Sequence, residues 1–243
     1  MDIYLLALIT LFTSTFAAIM GQGGGLMLMG VLAGSVPTSS LIAVHGIIQA
    51  SSNGSRAVIA KKHIHWPILV PIALGILLGA VFIVPLIPVL NWQWMQGVIA
   101  FYILWLTWGH LLPKQGWNLL KTKSSQALFK LGLLQGGLGM ALGATGPLGN
   151  ALLLNMGLKK EAIIATNALV MFLSHLVKVI FFSAMGVQLI QHTQLLIWLS
   201  VAAIAGSYLG SFFRQRLPES IFLPLFKAVL TLLAIRMLIL AFP

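Results

Sequence analysis

The residues with chemistry to offer fall in two glycine-rich clusters and two polar stripes. The clusters are Gly21-Gln22-Gly23-Gly24-Gly25 and Gly143-Ala144-Thr145-Gly146-Pro147-Leu148-Gly149. Both sit between apolar runs, where each glycine costs a helix about 1 kcal/mol relative to alanine. In lipid, a non-helical backbone persists only where protein buries it or a wet cavity adjoins it. A short apolar run follows each cluster at once, 26–34 and 148–156. The simplest reading is a broken helix whose second part starts inside the membrane with free backbone N–H groups. Such a start favours an anion and disfavours a cation. Gln22 and Thr145 are the polar side chains at the breaks, candidates to donate to substrate oxygens. Pro147 suits the first position of a half-helix, where its missing N–H costs little. Glycines also serve close helix approach alone, which is the reading for Gly75/Gly79 and Gly206/Gly210.

The stripes lie on two longer apolar runs. On 39–60, His45, Gln49, Ser52, Asn53 and Arg56 recur at spacings of three and four. On 161–185, Thr166, Asn167, Ser174, His175 and Lys178 occupy much the same face. A stripe of this length is costly in a membrane unless it faces the bundle interior or a wet path. The competing reading is helix–helix hydrogen bonding, with Arg56 snorkelling to the cytoplasmic surface. Lys178 lies too deep in its run for easy snorkelling, which assigns it to the path with the anion's charge to compensate. For His45 and His175 both a structural and a ligand role stand.

What is missing narrows the chemistry. The acidic residues are Asp2, Glu161 and Glu219, all at segment edges. With no carboxylate in a membrane interior, the usual proton relay, cation site and general acid/base pair are gone, so no enzyme is expected. No histidine has the cysteine or carboxylate companions of a metal set, and no cofactor is implied. A nucleotide-binding Gly-Lys-Ser/Thr loop is absent too. Transport would therefore run on the substrate gradient, the membrane potential, or a proton carried by histidine. Zero cysteines exclude disulfides and thiol catalysis.

The elements that must position these residues follow from composition. Of 243 residues 59% are hydrophobic and 7% charged, and the mean hydropathy is +1.02. That describes an all-α polytopic membrane protein in the lipid bilayer. The net charge of +11 lies mostly between apolar runs and reads as topology, not nucleic-acid binding. The runs are 3–20, 26–34, 39–60, 66–88 and 94–112, then 127–142, 148–156, 161–185, 194–213 and 220–241. Met1-Asp2-Ile3 lacks the basic start of a signal peptide, so the first run belongs to the fold. Each half is a broken or re-entrant helix pair followed by three long transmembrane helices.

The halves match in register. At an offset of 122 residues Gly21, Gly24 and Leu26 fall on Gly143, Gly146 and Leu148, and Arg56 falls on Lys178. Gly75 and Gly79 match Gly206 and Gly210 at an offset of 131. The expected organisation is a first repeat over 1–113, a linker over 114–125 and a second repeat over 126–243. Arg56, Lys61, Lys62, Lys114, Lys121, Lys123, Lys159, Lys160, Arg214 and Arg216 fall on one side. Loops 35–38, 89–93 and 186–193 carry no Lys or Arg on the other. The basic side is then cytoplasmic, both termini face out, and the repeats are inverted. Trp92 and Trp94 outside, with Trp66 and Trp117 inside, fit interfacial belts. Gly-x-x-x-Gly patterns permit a homodimer as readily as internal contacts.

An N-terminal apolar segment ending in Gly21-x-Gly23-Gly24-Gly25 precedes a helix with Ala43 and Asn53-Gly54 that leads to a basic turn. With Gly143-x-x-Gly146-Pro147 in the second half, the chain resembles the TauE/SafE family of sulfite exporters over about 3–240. The resemblance implies a permease of the cell inner membrane for a small sulfur-containing anion, such as sulfite or an organosulfonate, often exported. Uptake, a channel, or a scaffold whose glycines only pack helices are the alternatives.

Overall fold

The computed structural model describes residues 1–89, 91–108, 124–143, 145–214 and 219–241. The basic linker with Lys114, Trp117, Lys121 and Lys123 lies outside the described residues, as does Arg216. The described chain is helical, with one isolated bridge between Ala33 and Val36. The first half runs α1 (Ile3–Met20), α2 (Gly24–Leu32), α3 (Thr38–Ile59), α4 (Leu69–Ile83) and α5 (Trp92–Trp108). The second runs α6 (Ser125–Leu142), α7 (Gly146–Asn155), α8 (Lys160–Ala184), α9 (Thr193–Phe213) and α10 (Glu219–Ala241).

The two breaks arise from local rules. Asp2 opens α1 by accepting the Tyr4 N–H at 2.7 Å, and the Ser124 hydroxyl accepts the Ala127 N–H at 3.2 Å to open α6. Each helix then stops at a glycine of positive φ, Gly21 at +78° and Gly143 at +85°, a conformation that favours glycine. After Gly23, at φ +94°, α2 restarts as a second helix. Gly24 folds it back on α1, because a Cβ there would strike the Thr13 carbonyl and the Ala17 side chain. The second parts begin two residues earlier than the apolar runs 26–34 and 148–156 suggest.

Among the described residues, four segments are long and apolar enough to cross a bilayer: Ile3–Met20, Trp66–Ile87, Lys160–Ala184 and Leu189–Phe213. The third of them, α8, carries one polar stripe. The other stripe lies on α3, which has 22 residues and sits in the bundle interior. The outer faces of α4 and α9 present Val70, Leu74, Phe82, Ile197, Val201 and Leu209, all exposed, as lipid contact requires. Trp66 and Trp94 are exposed as well.

Helix partners exchange with the halves. The most extensive contacts join α4 to α6 and α1 to α9, and α3 faces α8 while α5 faces α10. Taking α1 to α6, α4 to α9 and so on turns the first pair into the second and returns the other two to themselves. Glycine makes the first two pairs possible. A Cβ on Gly75 or Gly79 would run into the Phe129 or Leu133 carbonyl of α6, and one on Gly206 or Gly210 into the Leu11 or Thr15 carbonyl of α1. These glycines pack helices, as expected. Their register corrects the sequence match, however. Leu11 corresponds to Leu133 at the offset of the breaks, so Gly206 stands where Gly79 does, one helical turn from Gly75.

Candidate functional site

The breaks and the stripes meet at one cavity of about 30 Å³. A cavity needs about 10–15 Å³ of such space to hold a single water, so this one suits a small ligand. Its wall takes Ala17 from the end of α1, then Gly21, Gln22, Gly23, Gly24, Gly25 and Leu26 from the first break and the start of α2. Gln49, Asn53 and Arg56 come from α3, Thr145 and Gly146 from the second break, and Asn167, Met171 and His175 from α8. Both halves contribute because α3 and α8 face each other behind the two breaks.

The first turn of α2 supplies unspent donors. Met27 N–H is bonded to the Gly23 carbonyl at 3.0 Å. The N–H groups of Gly24, Gly25 and Leu26 precede it and have no partner within their own helix. Beside them lies Arg56, only 5% exposed. Its Nη1 donates to the Ala17 carbonyl at 2.9 Å, its Nη2 donates to Asn53 Oδ1, and Nε is buried without a partner. Arg56 therefore does not snorkel: it turns inward to the last turn of α1, where a cation opposes the negative end of the helix. Both acceptors are neutral. Among the described residues no carboxylate pairs with it, and a buried guanidinium so placed is an unbalanced charge in a low-dielectric site, which a bound anion would balance.

Lys178 is placed differently from its sequence reading. It is 1% exposed and is not in the cavity wall. Its Nζ donates to the Gly143 carbonyl at 2.6 Å and reaches His175 Nδ1 at 3.2 Å. It thus closes the C-terminal end of α6 as Arg56 does for α1, and it touches the cavity only through His175. Which of the two groups donates depends on the tautomer of the His175 ring.

His45 is also displaced from the wall. Its Nε2 donates to the Gly25 carbonyl at 2.9 Å, and its ring meets His175 edge-on with centroids 5.6 Å apart. Pro147 is the second residue of α7, not the first. Other stripe members hold helices together: Ser52 and Ser207 share hydrogen bonds between α3 and α9, and Thr166 Oγ1 accepts the His65 N–H at 2.9 Å.

Two polar residues near the site escaped the sequence reading. Asn150 of α7 donates through Nδ2 to Gln22 Oε1 at 3.0 Å and to the Gly21 carbonyl at 3.4 Å, tying the second half to the first break. Gln135 of α6 is fully buried, and its amide lies beside Asn167 at Gly149, where a Cβ would displace both. Their counterparts in the first half are Leu28 and Thr13, so matching the halves passed over them. A lone amide in an apolar run was the signal to follow.

Comparison with curated proteins and with solved structures gives no significant match. A family model, by contrast, covers almost all of what has been described, from residue 6 in α1 to residue 237 in α10. It is the model for the sulfite exporter TauE/SafE. The helical architecture with several apolar spans agrees with it, and the chain belongs to the TauE/SafE sulfite exporter family of multi-pass membrane transporters.

Proposed function

We propose that this protein is a secondary transporter that binds a small sulfur oxyanion, such as sulfite or an organosulfonate, in the cavity between the two helix breaks. The observation that carries this is Arg56, buried with no carboxylate partner among the described residues, in the wall that also holds the free first turn of α2. One positive half-helix end and one unbalanced guanidinium converge where both halves meet. The halves act as inverted repeats, a reading supported by the exchange of helix partners, and rock about the cavity to expose it to either side in turn. With the basic loops cytoplasmic, the chain lies in the inner membrane with both termini outside. An anion leaving an inside-negative cell gains about 2.3 kcal/mol per charge per 100 mV, so export needs no further engine.

The test is thermal unfolding of the purified protein with sulfite, thiosulfate, sulfate, sulfoacetate, phosphate, acetate and a series of cations. A ligand at a hundred times its dissociation constant adds about 2.7 kcal/mol. Stabilisation by a sulfur oxyanion, abolished in Arg56→Gln, supports the assignment. Stabilisation by cations alone overturns it.

A further inference from the structure

We propose that the groove between α3, α8 and α9 holds an acyl chain of an anionic phospholipid whose headgroup rests on Lys61. The groove has a volume of about 530 Å³ and shares no lining residue with the anion cavity. Gln49, Asn53 and Arg56 turn one face of α3 to that cavity, while Ala50, Ser51, Gly54, Ser55 and Val58 turn another to the groove. Its depth matches one leaflet. Ala50 lies about 14 Å from the Ile59 end of α3, at about 1.5 Å of rise per residue. By the same rise, Ile204 lies about 14 Å from the Phe213 end of α9. Leu169 and Phe172 lie about 14–18 Å from the Lys160 end of α8. All three ends are on the basic side, the cytoplasmic one in the orientation proposed above. Half of a bilayer's hydrocarbon core is about 15 Å, so the groove runs from the basic surface to the midplane, the reach of one lipid tail.

The wall suits hydrocarbon. Ser51 Oγ donates to the Ile47 carbonyl at 3.1 Å and Ser55 Oγ to the Ser52 carbonyl at 3.0 Å, so both hydroxyl protons are turned back onto α3. Leu169, Phe172 and Ile204 complete an apolar lining. The mouth has a different chemistry. Lys61 lines it and opens the turn Lys61–His63, all of it exposed. Among the described residues no carboxylate pairs with Lys61, and Glu161 is held by Arg214. Trp66 and Tyr208 also line the groove and are exposed; rings of this kind settle where hydrocarbon gives way to headgroups. A phosphodiester at the mouth meets the lysine while its tail fills the groove. Charge argues against a second copy as the occupant. A two-fold axis along the membrane normal joins the same patch of both chains, which sets Lys61 and Lys62 against their own counterparts. The same charges attract an anionic lipid.

The experiment uses delipidated full-length protein in detergent, titrated with phosphatidylglycerol or phosphatidylcholine of identical chains and read by native mass spectrometry. The expected result is one phosphatidylglycerol per chain, held at least about fivefold more tightly than phosphatidylcholine, the scale of one lysine beside an anionic headgroup. Lys61→Gln should remove that preference, whereas Lys159→Gln, an exposed lysine of the basic side outside the groove, should keep it. Ser55→Phe, which fills the groove and spares the lysine, should weaken both lipids. If that variant does not fold, Val58→Trp at an exposed point of the same wall takes its place. Equal retention of the two lipids by the wild type overturns the inference. So does a preference that survives Lys61→Gln or the filled groove, or one that Lys159→Gln lowers equally. A lipid-free dimer that the filled groove breaks apart puts a second copy there and overturns it too. Each of these outcomes leaves the anion cavity untouched, because that site lies on the other face of α3.

Discussion

Replacing Arg56 by methionine keeps most of the side chain's bulk and removes its charge. In the empty protein two donations disappear, to the Ala17 carbonyl and to Asn53 Oδ1. Hydrogen bonds from a charged donor contribute about 1.5–3 kcal/mol each. Against that stands the desolvation of a buried cation, several kcal/mol after relaxation. The acceptors left behind are neutral, and the Ala17 carbonyl keeps the Gly21 N–H at 2.8 Å, so no buried charge is orphaned. The two contributions nearly cancel, and the empty variant should unfold within about 2 kcal/mol of wild type, the scale of one such bond. Ligand binding should change far more. Two unit charges about 4 Å apart at an effective dielectric near 20 attract by about 4 kcal/mol, roughly a thousandfold in dissociation constant. Tryptophan fluorescence during heating, with and without sulfite, reads both quantities on one sample. A variant that is strongly destabilised when empty yet still stabilised by sulfite would refute the argument, since Arg56 would then be a structural tie.

Four further outcomes follow. Lys178→Met should weaken sulfite binding less than Arg56→Met does in the same titration, because its ammonium reaches the cavity only through His175; an equal loss would put Lys178 at the ligand. Gly79→Ala should lower thermal stability by about 1–3 kcal/mol, the usual cost of overpacking, because its Cβ runs into the Leu133 carbonyl. Gly137→Ala, whose Cβ meets only Gly79 O at 3.6 Å, should be tolerated, and equal melting losses would sink the close-approach account. Gly149→Ala should weaken anion binding about tenfold by displacing Asn167, on the scale of one lost polar contact, whereas Gly157→Ala, at φ +76° with open space around it, should cost about 1–2 kcal/mol of stability and leave binding alone. Glu161→Gln should cost less than about 1 kcal/mol, because the carboxylate that Arg214 holds at 2.5 Å is 34% exposed; a larger drop on heating would show that this pair locks α8 to α9.

Much of the architecture was legible because lipid leaves few choices. A backbone that stops being helical inside an apolar run needs glycine, so Gly21, Gly23 and Gly143 announce the breaks that their positive φ values mark. Polar side chains recurring on one helix face must turn inward, so Gln49, Asn53, Arg56, Asn167 and His175 were identifiable before any contact was known. Register was less legible. Gly75 and Gly79 match Gly206 and Gly210 in sequence, yet helix contacts align Gly79 with Gly206, because a Gly-x-x-x-Gly spacing repeats after one turn and cannot tell one turn from the next.

Side-chain direction was not legible at all. Arg56 and Lys178 occupy matched positions, and sequence alone favoured the lysine for the path. The fold does the opposite: Arg56 is long enough to reach α1 and still line the cavity, while Lys178 ends on the Gly143 carbonyl. Asn150 and Gln135, without counterparts in the first half, gained meaning only when α7 and α6 brought them to Gln22 and Asn167. By itself the sequence determined that the chain is a helical membrane protein broken twice at glycine with its polar stripes turned inward, because solvation by lipid acts residue by residue. Only the tertiary structure decided which donors remain free, because an N–H finds a partner or lacks one according to neighbours far away in the chain.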